Sequence, residues 1–433
     1  MVSCTIGGHM HVLIIGAGLL GLTTAYFLRL SGATVTVVDR QPGVGLETSF
    51  ANGAMLHASQ ANPWNEPGVL GMAIRMLGRE DSPLLVRPRA IPALWRWGLA
   101  FVKHSTPARY LRNFEKNAHL ARYSLDQMAV LRTALALNYD QQQRGTIKLF
   151  RTESEVARAA RFCVQLSAWG IRHEVINASR AIQLEPALAP IEAQLAGGLY
   201  FPGDESGDAF RFCELLAKHL QHDGVEFLFD TPVARIRSGL AGKPVAHTEH
   251  GELTAEAIVL AAGSYTPLLA RTAGLKVPVA PVKGYSITLA CNGWQAGPQV
   301  PIIDDHLHAA VCPLGDRLRV AGTAEFAGYD LSLTPSRIAN LFALVLKLYP
   351  NFAPFLSRDT ATQWTGLRPM SCDGVGIMGR TCAPGIFLNT GHGPLGWTMA
   401  AGAGRLVADE ITGRSTELAA APYRLARFER RSQ

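Results

Sequence analysis

Three glycines and one carboxylate have the types and spacing that could do chemistry first. They are Gly16, Gly18 and Gly21, in Gly16-Ala17-Gly18-Leu19-Leu20-Gly21, and Asp39. Gly16 allows a tight turn, Gly18 lets backbone approach a pyrophosphate, and Gly21 permits close packing of a helix on a strand. A helix opening here offers free N–H groups and the positive end of its dipole to phosphates. Asp39, 18 residues beyond Gly21, is placed to bind ribose hydroxyls. The elements needed around them are present. Residues 12–16, with Ile15 ahead of the first glycine, are a short apolar run of strand type. A helical stretch runs to about Leu30 and ends at Ser31-Gly32, and residues 34–38 form a β-branched strand. The pattern predicts a bound dinucleotide but does not choose between NAD and FAD. The chain then enters the polar, glycine-marked loop 46–54 instead of another strand–helix unit.

A second glycine set follows the strand 386–389. Gly391, Gly393 and Gly396 form a loop into a helix over about 397–411, so His392, Leu395, Trp397 and Thr398 sit at its mouth. A helix N-terminus there can stabilise negative charge on a reduced cofactor. Between the two sets, residues 208–221 read as an amphipathic helix capped by Asp208. Residues 225–229, 232–237 and 257–261 read as strands, and Ala262-Gly263 lets the chain pass a nucleotide closely. Helical pattern covers 108–137 and 335–349, and a β-branched run covers 279–289.

Composition narrows the class. The chain has 433 residues, 48% apolar and 17% charged, with a net charge of +7. That excludes a disordered chain. Its 42 glycines and 25 prolines have no collagen-like period. Seven isolated cysteines form neither a disulfide scaffold nor a C-x-x-C site. Basic residues are dispersed apart from 87–96 and Arg427, Arg430 and Arg431, and no nucleic-acid module is present. His306 and His308 flank Leu307 and are expected on one strand face. They lack a carboxylate or cysteine partner at ligand spacing, so no metal is expected. Two uncharged runs, 12–28 and 381–404, are too interrupted by glycine and proline for membrane spans. With no targeting signal, the expectation is a cytoplasmic protein, with peripheral contact at the inner face of the cell membrane as an added option. The apolar stretch 91–101, with Trp95, Arg96 and Trp97, is the segment that could make that contact. Residues 1–10 stand apart as a leader or tag.

Several motifs together resemble a known family. They are Asp39-Arg40-Gln-Pro-Gly43 with Glu47-Thr48-Ser49 and Asn52-Gly53, Leu149-Phe150-Arg151-Thr152-Glu153, and Glu185-Pro186-Ala187-Leu188. To these add Gly197-Gly198-Leu199 with Asp204-Glu205-Ser206-Gly207-Asp208, Lys283-Gly284-Tyr285-Ser286, Trp364 through Met370, and Leu388 through Ala400. In that order they are similar to the D-amino-acid oxidase superfamily of FAD enzymes, and within it to the small-subunit type of bacterial D-amino acid dehydrogenase. The resemblance implies an α/β fold. A Rossmann-like, glutathione-reductase-like FAD-binding domain (11–75, 203–275 and 361–420) is interrupted by an α+β substrate domain with an antiparallel sheet (76–202 and 276–360), and 421–433 is a tail.

The resemblance also implies FAD as cofactor, with Val233 as a backbone clamp for adenine and Arg368 as the fork holding a substrate carboxylate. Tyr285 is expected as a second polar anchor, and His57 as an active-site lining residue. Cys372 is read as a buried thiol rather than a covalent flavin link. The implied activity is oxidative deamination of D-amino acids to 2-oxo acids and ammonia by hydride transfer from Cα to flavin N5. Electrons then pass to a quinone or other carrier rather than to oxygen. The alternatives are a relative oxidising secondary amines (D-hydroxyproline, D-proline, sarcosine or glycine) or a flavin-bearing electron-transfer subunit. One departure stands out: Gln60 occupies the place of a Tyr in the dehydrogenase loop, which puts substrate preference in question.

Overall fold

The computed structural model describes residues 10–69, 71, 82, 84–238 and 243–429. Nearly all of the leader 1–10 lies outside the described residues. Six strands form one sheet in the order Ile377–Arg380, Ile386–Thr390, Ala257–Leu260, His11–Ile15, Thr34–Val38 and Glu226–Leu228. All neighbours are parallel except the Ile377–Arg380 edge. The strands are continuous apolar runs because both faces are covered. Helices Leu19–Leu30 and Gly396–Thr412 cover one face and meet closely: Thr23 Oγ1 donates to the Ala400 carbonyl at 2.8 Å. The helix Ala209–His222 is capped by Asp208, whose carboxylate accepts from Phe210 N and Arg211 N. A three-stranded meander, Val233–Ser238, Pro244–Thr248 and Gly251–Thr254, stands beside the sheet.

A second, larger sheet has nine strands among the described residues. Its path is Thr362–Ser371, Val279–Ala290, Arg317–Phe326, Ala309–Leu314, Ile302–Asp304, Thr146–Phe150, Gly197–Phe201 and Glu174–Ile176, with Leu84–Val86 joining Arg317–Phe326. It is mostly antiparallel. The helix Pro335–Leu348 packs on its far face through Ile338, Leu341, Phe342 and Val345.

Three segments sit differently from the sequence division. Thr362–Ser371, grouped there with the FAD segments, is an edge strand of the large sheet, hydrogen-bonded along Val279–Ala290. The long helix Pro107–Leu135, grouped with the substrate segments, lies against Gly396–Thr412, where Ser124 Oγ accepts from Gly402 N. The described part of the tail is docked: Tyr423 is buried, Arg424 pairs with Glu410, and Arg427 pairs with Asp373 at 2.8 Å. The uncharged runs 12–28 and 381–404 are the strand–turn–helix pieces of the parallel sheet, and no described helix is long and apolar enough to cross a membrane.

Candidate active site

One elongated cavity of about 1250 Å³ runs between the two sheets. At one end, Gly16 takes φ +115°, and a side chain there would press on the Ala261 carbonyl oxygen at 2.6 Å. A Cβ on Gly21 would overlap the Gly16 carbonyl oxygen. The helix Leu19–Leu30 opens at Gly18 without a side-chain cap, and Leu19 N donates to Ser49 Oγ at 3.2 Å. Asp39 accepts from Ala17 N at 2.7 Å and Gln41 N at 2.9 Å, which ties the glycine turn to the end of the second strand. Burial pushes its carboxyl up, and these two N–H groups pull it back. Arg40 lies 3.8 Å over the Tyr265 ring and pairs with Glu47. Val233, Ala262 and Gly263 line the same end.

Further along, the loop 48–54 is pinned from the large sheet. Ser286 Oγ donates to the Ala51 carbonyl at 2.6 Å, and Arg319 Nη1 donates to the Asn52 carbonyl at 2.9 Å. Thr48 Oγ1 and Ser264 Oγ both donate to the Leu367 carbonyl, at 2.8 and 3.0 Å. Asn52, Gly53 and His57 line one wall, and His392, Gly393, Leu395, Gly396 and Trp397 the other. The walls are joined where His57 N donates to Thr398 Oγ1 at 3.1 Å. His392 is buried with both ring nitrogens unbonded among the described residues, and burial pulls its pKa down to about 3. His57 Nδ1 is also unbonded, and burial first, then the Lys148 charge, hold this histidine down at about 4. Both imidazoles are therefore neutral at ordinary pH.

Arg368 projects into this end from the edge strand. Its guanidinium lies 5.7 Å from the Trp64 ring centre, and Nη1 donates to the Thr323 carbonyl at 3.2 Å. No described carboxylate pairs with it. Burial alone pulls its pKa down to about 10. A half-buried guanidinium with one neutral acceptor among the described residues is short of an anion. Thr323 has φ +59° and is the extra residue of a bulge opposite Gly284 and Tyr285, which turns its carbonyl to Arg368. Gly284 leaves room for the guanidinium, since a Cβ there would overlap it.

Of the residues expected from sequence, most line this one cavity. Ala17, Gly21, Gly391 and Thr398 do not, and support the turns behind it. Tyr285 is corrected. Its ring borders the cavity, but its hydroxyl donates to Glu325 and contacts Thr334 Oγ1 at 2.9 Å, so it is committed inside the sheet rather than offered beside Arg368. His306 and His308 are corrected as well: they lie in the hairpin turn 305–308, with φ +49° at His308, not on a strand face. No group of three candidate metal ligands exists among the described residues. Sequence reasoning missed Trp64, Thr323, Arg319 and Lys148. The bulge and the clamps involving the first three span long sequence separations, and no local pattern marks them.

The cavity fits FAD by its own features. Two uncapped helix N-termini open onto it or its lining loops, side chains on Gly16 or Gly21 would collide with backbone, and His392 carries unmatched polar atoms at the second loop. Comparison with known proteins agrees. The family model described as FAD dependent oxidoreductase matches residues 11–410, and the chain belongs to that family. It is thus an FAD-dependent oxidoreductase. It is 42% identical over 97% of its length to a D-amino acid dehydrogenase of Methylobacterium radiotolerans, all of which is covered. It is equally similar, again over 97% of its length, to one of Cereibacter sphaeroides, 95% of which is covered. Among solved structures it resembles glycine oxidase of Geobacillus kaustophilus, with a TM-score of 0.76 and 24% identity, covering 96% of this chain and 99% of that one. L-proline dehydrogenase from P. horikoshii also has a TM-score of 0.76, with 19% identity and 98% of each chain covered.

No described cysteine lines the cavity, and burial pushes the Cys372 thiol up to about 12, so no reactive thiolate is available there. Acid precipitation of the purified yellow protein is expected to leave a colourless pellet and free FAD in the supernatant. A pellet that kept its flavin absorbance would establish covalent attachment.

Proposed function

We propose that this protein oxidises D-amino acids to 2-oxo acids and ammonia and passes the two electrons to a quinone or another carrier. The observation that carries this reading is Arg368, a guanidinium without a carboxylate partner among the described residues, at the end of the cavity bounded by the two cofactor loops. The relatives named D-amino acid dehydrogenase, matched over nearly their whole length, support the substrate class. The glycine turn at Gly16–Gly21 and Asp39 would hold the nucleotide half of FAD, with Arg40, Glu47, Thr48, Ser49 and Val233 around it. Asn52, Gly53 and the 391–398 loop would hold the flavin half. When bound, FAD supplies a two-electron acceptor.

The chain's own contribution is positioning. Arg368 grips the substrate carboxylate with two parallel N–H groups, which fixes the direction of the Cα–H bond. The Thr323 carbonyl and the Trp64 ring keep the guanidinium from turning. Neutral His57 and His392 add no competing cation beside the amine. No nucleophile is needed: water hydrolyses the imino acid after oxidation, releasing ammonia.

The acceptor reading has its own support. The helix Ile91–His104 buries no residue fully. Ile91, Trp95, Leu99 and Val102 are 49, 54, 65 and 39% exposed, at spacings that put them on one face. Trp97, on the inner face, donates to the Met370 carbonyl at 3.0 Å, two residues beyond Arg368. Arg96, Lys103, Arg109 and Arg112 lie on this helix and the next. An apolar stripe rimmed by cations suits an anionic bilayer surface, where a quinone is met.

A dye-coupled assay of the purified chain tests both parts. Turnover is expected with D-amino acids, and turnover only with sarcosine or D-proline derivatives would replace the substrate class. A chain with no activity alone would be an electron-transfer subunit. Co-sedimentation with phosphatidylglycerol vesicles is expected to be lost in Trp95→Ser/Leu99→Ser while dye-coupled activity stays. Equal sedimentation of that variant would remove the membrane contact.

A further inference from the structure

We propose that Lys148 is a specificity-determining residue of this site, receiving a carboxylate or carboxamide at the end of the substrate's side chain. This rests on the amino-acid reading above. Lys148 and Phe150 alternate on the strand Thr146–Phe150 and line the cavity, while Ile147 and Leu149 are buried in the core on the other face. An ammonium has three donors. One faces Asp305 at 2.9 Å and one faces Gln60 Oε1 at 3.3 Å, and no further described acceptor is bonded to it. Asp305 is half exposed in the hairpin turn, so water screens that pair and leaves the lysine short of a full counter-charge.

The wall that carries Lys148 is rigid. Asp204 is buried and accepts from Thr146 Oγ1 at 2.6 Å, from Ser59 Oγ, and from Ser59 N at 3.3 Å. One carboxylate thereby ties the strand bearing Lys148 to the turn bearing Gln60. Gln60 in turn directs its Nε2 to Ser59 Oγ at 3.3 Å, which leaves its carbonyl oxygen for Lys148. This corner offers amide hydrogen bonds and positive charge where a Tyr would offer a ring face and one hydroxyl. Together with Arg368, which has no carboxylate partner among the described residues, the cavity presents two cations with donors to spare, which suits an amino acid with a second polar terminus.

The test is steady-state kinetics of the holoenzyme with D-glutamate, D-glutamine, D-alanine and D-leucine, for wild type, Lys148→Met and Lys148→Arg. Wild type is expected to favour D-glutamate or D-glutamine over D-leucine at least tenfold in kcat/KM. Lys148→Met should cut the ratio of kcat/KM for the polar substrate to that for D-alanine about tenfold, chiefly through KM, and Lys148→Arg should restore much of it. A merely structural lysine would lower all substrates together and leave the ratios intact, which would overturn the assignment. So would a wild-type preference for D-leucine. Turnover of none of the four would remove the amino-acid reading itself and this assignment with it. Ratios that do not move in an active enzyme remove the assignment alone.

Discussion

Arg368→Ala is expected to lower kcat/KM for amino acids by roughly 150-fold, with KM raised and kcat reduced together. Truncating one partner of a buried charge pair costs about 3 kcal/mol, and each 1.4 kcal/mol is about tenfold. Orientation should fail along with affinity, because in the proposed role the fork that binds the carboxylate also sets the Cα–H direction. Amines without a carboxylate should lose far less, since they never used the guanidinium. Arg368→Lys should recover only part of the activity: it keeps the charge but loses the planar fork that meets both carboxylate oxygens. FAD content should stay near wild type, because the side chain bonds to Thr323 and rests on Trp64, not on either glycine turn. A variant that oxidises D-alanine with nearly unchanged kcat/KM would show that another group anchors the carboxylate.

Gly21→Ala is expected to weaken FAD binding by roughly 5- to 150-fold, from an overpacking cost of about 1–3 kcal/mol. The added methyl would overlap the Gly16 carbonyl oxygen, so the helix Leu19–Leu30 must move off the turn that its N-terminus completes. Gly203→Ala is the control, because a Cβ there meets open space. Fluorescence titration of deflavinated protein measures both, with circular dichroism confirming that the variants remain folded. Equal affinity in the two variants would mean that the first turn does not set the pyrophosphate geometry.

How much could be read from sequence depended on whether a requirement was local. The glycine turn and the Asp208 cap are set within a few residues, and the structure has both as read; Asp39 stands at the end of its strand by a fixed offset, with its carboxylate on Ala17 N and Gln41 N. Family likeness picked out Arg368 but not its surroundings, because the Thr323 carbonyl reaches it only through a bulge in a strand 45 residues away. Tyr285 was misjudged for the same reason: its partner Glu325 is 40 residues on, and nothing near Tyr285 announces it. Amphipathic pattern found the helix Pro107–Leu135 but could not say which layer its apolar face would meet. The strand Thr362–Ser371 looked like part of the nucleotide-binding region because it precedes it in sequence. Its ladder with Val279–Ala290, in which Pro369 stands opposite Pro281, is decided by pairing and not by order along the chain.

The Leu367 carbonyl, held by the hydroxyls of Thr48 and Ser264, is the peptide oxygen directly before Arg368. Both hydroxyls come from loops that line the nucleotide end, so the guanidinium inherits its position from them. A shared support of this kind would link the two halves of the cavity thermodynamically. If order imposed on those loops by the cofactor strengthens carboxylate binding at Arg368, reciprocity requires a carboxylate seated there to raise the affinity for the cofactor by the same factor. A simple substrate-like acid would then act as a stabiliser of the holoenzyme, and its absence during purification would favour loss of flavin.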